Sequence, residues 1–267
     1  MNKLNKIINF YINASIHVAV AIFCLLKITS LSYQITISSF YYLVVFFGSI
    51  CSYNFLKYYT VFNKTKKYKL LLWITFLTLL LCLLFYIKLT YAEQKGLFVG
   101  GILVGTYPYL RKIGWLKLVI VSFVVSLVTL GIPFIIANRL DFLLFIQRVL
   151  ILFALLVPFE ILDSASDNKK MQTLPQRFGI EKTKIFGYLA ILLFIFLEFN
   201  CSMNTKKGLL FLVNLFISFI TVLIIFFTST KRSRYYTLFW VESIPIFWCV
   251  LLLLLKKISS CSCFLFY

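Results

Sequence analysis

The chain alternates long apolar runs with short polar breaks, most of them basic. The runs lie at Ile7–Ile28, Thr36–Leu56, Leu70–Tyr91, Leu97–Leu110, Leu116–Ala137, Phe142–Leu162, Lys184–Phe199, Leu209–Thr228 and Thr237–Leu255. Most reach about 20 residues, enough for a helix to cross a hydrocarbon core of ~30 Å. A closed barrel would need short strands alternating apolar and polar positions. Leu70–Leu84 is apolar on every face, so helices are predicted. The expectation is an all-α integral membrane protein with nine transmembrane helices in a single domain, residues 1–267. Leu97–Leu110 is the shortest run, and a re-entrant segment is its alternative. Its Gly101-x-x-x-Gly105 would allow a neighbouring helix to approach closely. These glycines do not read as a phosphate loop, because no strand precedes them and no lysine follows in the required place. The first run lacks a small-residue cleavage site and reads as retained.

Composition supports a bilayer setting. The chain is 62% hydrophobic and 13% charged, against roughly 25% charged in soluble domains. Its net charge of +19 sits in the breaks between runs. With the N-terminus on the cytoplasmic side, most basic residues fall on that face. They include Lys57, Lys64, Lys66, Lys67 and Lys69 in one loop, and Lys169, Lys170, Arg177, Lys182 and Lys184 in another. Such asymmetry predicts a cytoplasmic N-terminus and an external C-terminus, with a bacterial cytoplasmic membrane as the expected location. The charge then serves orientation and contact with anionic lipid, and nucleic acid is not an expected partner. The seven cysteines show no paired metal-like spacing, and Cys261-x-Cys263 reads as part of an apolar tail.

Of eight carboxylates in the chain, three stand together after the sixth run: Glu160, Asp163 and Asp167. Spacings of i, i+3 and i+7 put them on one helical face. Like charges at the end of an apolar helix repel and are poorly solvated, so cations must compensate. One candidate set is Lys169, Lys170 and Arg177. The other is Mg²⁺, which suits carboxylate oxygens and bridges them to phosphates. A solvated acidic helix end that merely starts a loop is the plain alternative.

Asp163-x-x-x-Asp167, followed by Thr173-Leu174-Pro175 and Gly179, resembles the second aspartate-rich motif of the UbiA-type intramembrane prenyltransferase superfamily. The resemblance implies nine transmembrane helices around a central cavity. It also implies an enzyme that binds a polyprenyl diphosphate through Mg²⁺ and transfers the prenyl group to an aromatic or other lipophilic acceptor. Glu160, Asp163 and Asp167 would be the metal ligands. Lys169, Lys170 and Arg177 would contact the diphosphate. The family's first motif carries acids near the end of helix two. Here Asn54 matches its Asn, but the acidic positions fall on Phe55, Tyr58 and Phe62, and no carboxylate precedes Glu93. Asn54 and Lys57 are the remaining candidates for the diphosphate, with Lys57 in place of the second metal. The alternatives are a catalytically inactive UbiA-fold protein serving as a lipid-binding or partner subunit, and a small transporter. The transporter lacks the inverted pair of broken helices that marks a midplane site.

Two further residues stand out within the runs. Arg148 must face the interior, since a charge at the bilayer centre costs about 2.5–3.5 kcal/mol. It reads as an internal strut or a phosphate contact. His17 is the only histidine and reads as an interior hydrogen-bonding group, with a metal ligand or a general base as the alternatives. Asp141, Glu198 and Glu242 read as interfacial.

Overall fold

The computed structural model describes residues 3–58, 69–110, 113–167, 171–205 and 208–262. The described chain is helical, with no strand among the described residues. In order, the helices are α1 (Lys3–Asn13), α2 (Ile16–Tyr33), α3 (Ser39–Tyr58), α4 (Lys69–Tyr86) and α5 (Tyr91–Leu110). Then come α6 (Leu116–Ser126), α7 (Ile132–Ile136), α8 (Phe142–Asp163), α9 (Leu174–Phe178), α10 (Ile180–Thr205), α11 (Gly208–Phe227) and α12 (Ser243–Ser262). A π-helical turn, Leu127–Gly131, joins α6 to α7, and another, Tyr236–Val241, precedes α12.

Seven of these segments are long and apolar enough to cross a membrane: α2, α3, α4, Leu116–Ile136, α8, α11 and Tyr236–Lys257. The protein is an integral membrane protein on that ground. The exposed faces fit lipid. Trp73, Phe76, Leu80, Leu83 and Leu84 on α4, and Leu192, Leu193 and Phe196 on α10, are open to the surroundings. An apolar surface of this extent is untenable in water. Helices α5 and α10 are not among these seven. Both carry charges near their starts, Glu93 and Lys95 on α5 and Glu181, Lys182 and Lys184 on α10.

Several expected boundaries move. The first run is broken near its start, where Ser15 adopts a left-handed conformation at φ 57°. It becomes α1 and then α2, with the span displaced to Ile16–Tyr33. The fourth run gains a turn and a half, because Glu93 caps α5 from inside. Its carboxylate accepts the Thr90 backbone N–H at 2.9 Å and the Ser38 hydroxyl at 2.6 Å. Gly101 and Gly105 face open space, so they are not the close contact expected of them. The tight approach is at Gly96, where an added Cβ would stand 2.7 Å from Ile132 Cγ2.

Packing places α8 deep in the bundle, against α6, α10 and α11, while α2 packs on α3 and α12. Ile151, Leu152 and Leu155 of α8 join Leu25, Phe194, Ile217 and Trp248 in one apolar cluster drawn from five helices. The π turns give their freed carbonyls to neighbouring helices, as such turns commonly do at irregular contacts. Thr29 Oγ1 donates to Thr129 O at 2.8 Å, and Tyr41 Oη to Val128 O at 2.8 Å. His17 does the same at the second turn, with Nε2 3.0 Å from Phe239 O and Nδ1 3.1 Å from the Tyr11 hydroxyl. A neutral ring satisfies both contacts, Nε2–H donating and Nδ1 accepting. His17 is therefore an interior hydrogen-bonding group.

Arg148 is buried, as expected of a charge within a span. Its guanidinium lies 5.3 Å from the Trp248 ring centroid, and Nη2 donates to Thr29 Oγ1 at 3.4 Å. Beside it, Gln147 and Asn214 both donate to Glu198. Glu198 is thus the acceptor that joins α8 and α11 to α10. Asp141 instead caps α8, accepting the backbone N–H of Leu143 and Leu144.

Candidate functional site: an acidic helix end gathered on one lysine

The last turn of α8 and the turn beyond it hold the acids. The Asp167 backbone N–H donates to Asp163 O at 2.8 Å, so helical geometry continues one step past the helix. This keeps Glu160, Asp163 and Asp167 on one face, as the spacing implied. Helix α6 packs on α8 and brings Lys117 to that face. Lys117 Nζ lies 2.9 Å from Glu160 Oε1, 3.5 Å from Asp167 Oδ2 and 3.7 Å from Asp163 Oδ2. The Glu160 side chain is almost wholly buried at 4% exposure, Lys117 and Asp167 are largely covered, and Asp163 is half open at 50%. Lys117 therefore compensates the acids from a different helix. The strong contact is the buried one to Glu160. The half-exposed Asp163 contributes little, because solvent screens it.

The segment after the acids folds back under them. Gly114, just ahead of α6, donates its N–H to Met171 O at 3.0 Å. The Gln176 amide joins the two ends of the loop. Its Oε1 accepts the Thr173 backbone N–H at 3.2 Å, and its Nε2 lies 3.2 Å from Asp167 O and 3.4 Å from Ser164 O. Pro175 occupies the first turn of α9, where a missing N–H costs nothing. Gly179 ends the helix at φ 84°, a conformation that favours glycine. Thr173-Leu174-Pro175 and Gly179 thus work as a helix start and stop. Replacing Gln176 with Ala removes an acceptor and two donor contacts at once. A loss of about 1–2 kcal/mol is expected, read as a lower thermal midpoint, with Gln176→Glu recovering only part of it because a carboxylate keeps the acceptor for the Thr173 N–H but cannot donate.

Of the other candidate residues, Arg177 is exposed and lies 5.3 Å from the Phe178 ring centroid, away from the carboxylates. Lys169, Lys170 and Phe62 lie outside the described residues. Asn54, by contrast, is wholly buried at 0% exposure, and among the described residues neither Oδ1 nor Nδ2 has a hydrogen-bond partner. A buried amide normally finds partners, so Asn54 stands out on α3. Lys57 extends over the Tyr58 ring at 5.2 Å. Its charged neighbours are Glu242 and Arg234, on the segment leading into α12. Tyr58, at an acidic position of the resembled motif, donates to Asn13 O at 3.0 Å and packs the α1–α2 junction.

Lys117 is the residue that sequence reasoning missed. It counts as one more loop cation along the chain. The available signal was its position one residue inside an apolar run, where a long stem can lie along the helix while the charge reaches a partner. Its presence also bears on metal binding. The carboxylates have suitable donor chemistry for Mg²⁺, but they are gathered around an ammonium. Among the described residues no group of three or more His, Cys, Asp or Glu is disposed to hold a metal ion. As arranged, these residues fit a lysine and do not fit Mg²⁺, so no step is derived through the metal.

Comparison of the chain with protein-family models, curated proteins and solved structures gives no match. Fold and site define the class on their own terms: an all-helical integral membrane protein whose acidic helix end is held by a lysine from a neighbouring helix.

Proposed function

We propose that the chain is a divergent UbiA-type membrane protein with nine spans that binds a polyprenyl diphosphate at the acid-bearing end of its bundle. The observation that carries this reading is the convergence of Glu160, Asp163, Asp167 and Lys117 above the docked Thr173-Leu174-Pro175 turn. A mixed-charge site at the end of an otherwise apolar bundle suits a ligand with a charged head and a hydrocarbon chain. The unpartnered Asn54 amide and the Lys57 ammonium are the diphosphate contacts on α3. Prenyl transfer to a lipophilic acceptor is the activity that goes with this reading.

The arrangement around Lys117 favours a second reading. The ammonium holds the acids that a metal would need, and α3 supplies no carboxylate to replace them. On that reading the protein keeps the fold and binds the lipid without turnover. One titration separates the two. Purified protein is mixed with geranylgeranyl diphosphate, with and without Mg²⁺, and thermal stability is followed. A ligand at a hundredfold its Kd raises stability by about 2.7 kcal/mol. Stabilisation that requires Mg²⁺ and vanishes in Asp163→Ala with Asp167→Ala supports the enzyme. Stabilisation that ignores Mg²⁺ and falls in Lys57→Gln supports the non-catalytic protein. No shift under any condition removes both.

A further inference from the structure

The other end of the bundle carries a cavity that the acidic site does not use. The two ends can be told apart by cross-helix contacts. Lys184 donates to Phe226 O at 3.3 Å, and Tyr236 Oη to Ile224 O at 2.7 Å, so the end of α11 lies with the starts of α10 and α12. The short helix α9 and the acidic loop pack at that end. The start of α11 and the end of α12 therefore lie at the opposite end, about 30 Å away along helices of this length. There they meet the end of α2 and the turn into α3, leaving a cavity of about 630 Å³. That volume is within the range of small-molecule sites.

The chemistry of the lining is divided. Lys27 and Lys256 supply two positive charges, and Ser30, Gln34, Thr36 and Tyr42 supply polar groups. Among the described residues no acid lines the cavity. The Lys27 ammonium stands 5.7 Å from the Tyr42 ring centroid, within the distance at which an aromatic face attracts a cation. Leu209, Leu210, Leu252 and Leu255 form an apolar wall, beside the lipid-facing surface to which Leu209 and Leu253 are exposed. Two cations over an apolar wall at the end of a membrane bundle complement one kind of ligand. It has an anionic head and a hydrocarbon tail.

We propose that this cavity is a binding site for an anionic phospholipid, its headgroup phosphate between Lys27 and Lys256 and its chain along the leucines. The site is separate from the diphosphate site proposed above and does not depend on it. A basic residue near a lipid surface contributes on the order of fivefold in affinity for an anionic headgroup.

The test uses the full chain in neutral detergent, with thermal midpoint followed over titrations of phosphatidylglycerol, phosphatidylcholine and inorganic phosphate. Phosphatidylglycerol is expected to raise the midpoint well beyond phosphatidylcholine. Lys27→Gln with Lys256→Gln should weaken apparent phosphatidylglycerol affinity at least tenfold. Lys88→Gln, an exposed lysine outside the lining, should leave it unchanged. Leu209→Trp, which narrows the apolar wall, should weaken the lipid as well. Equal shifts by the two lipids would overturn the proposal, as would wild-type affinity in the double lysine variant. Inorganic phosphate reproducing the full shift would also overturn it, since the tail would then contribute nothing.

Discussion

Lys117→Met is expected to be the most damaging single substitution at the acidic end, at a cost of about 3–5 kcal/mol. The cost does not come from a lost attraction in water. It comes from leaving Glu160, 4% exposed in its side chain, with no cation partner among the described residues while Asp163 and Asp167 stand nearby. Among the described residues Glu160 Oε2 already lacks a hydrogen-bond partner, so Lys117 is the main support of the carboxylate there. Lys117→Arg keeps the charge and should lose far less. The decisive comparison is Lys117→Met combined with Glu160→Gln. Removing the buried negative charge along with its partner should recover most of the loss, because an apolar or neutral replacement of a whole buried pair is often tolerated. Thermal midpoints of wild type, Lys117→Met, Glu160→Gln and the double variant in one detergent give the coupling directly. If Lys117→Met unfolds at the wild-type midpoint, the lysine is not what holds the acids. The same series speaks to the metal. Should Mg²⁺ stabilise Lys117→Met and not wild type, the lysine occupies the place that a divalent ion would take.

The sequence disclosed the helical membrane architecture because periodicity and length act locally. An apolar run of about 20 residues has few other stable solutions. It disclosed the shared face of Glu160, Asp163 and Asp167 for the same reason, since spacing within a helix is local geometry. Lys117 was not legible as a partner. Its meeting with Glu160 depends on α6 packing against α8, a pairing that no spacing encodes. The role of Glu198 as a shared acceptor was hidden for a related cause. No spacing along α10 tells that Gln147 and Asn214 from two other helices close on this carboxylate. The breaks at Ser15 and at the two π turns were also silent. Each is an irregularity of the backbone, and the two π turns are stabilised by Thr29, Tyr41 and His17 on other helices, with Tyr58 donating to Asn13 O beside the Ser15 break. Local helix propensity favours neither. Gly101 and Gly105 show the converse failure. A small-residue motif permits a close approach and does not require one, and here both glycines face open space.

Gly114 is where one added carbon should do the most to the site. A Cβ there would lie 2.2 Å from Met171 O and 2.8 Å from both Met171 C and Thr173 N. All three are backbone atoms of the loop beneath the acids, so no side chain can swing aside to make room. Relief must come from moving that loop or the start of α6, which carries Lys117 three residues further on. Gly114→Ala is therefore expected to cost about 2–3 kcal/mol, at the upper end for overpacking by a methyl group. It should also break the Gly114–Met171 hydrogen bond of 3.0 Å and loosen the contact between Lys117 and Glu160. Gly101→Ala is the matched control. Its Cβ meets nothing within 4 Å, and Ala is favoured over Gly in a helix by about 1 kcal/mol, so stability should hold or rise. The two midpoints, measured side by side, separate a steric effect at the loop from a general intolerance of Gly replacement. Titration with geranylgeranyl diphosphate then extends the comparison to binding. Gly101→Ala should bind as wild type does, and Gly114→Ala should bind more weakly, because the acids and the lysine no longer meet over a fixed loop. Equal midpoints and equal binding in the two variants would mean that the loop moves freely and does not position the acidic end.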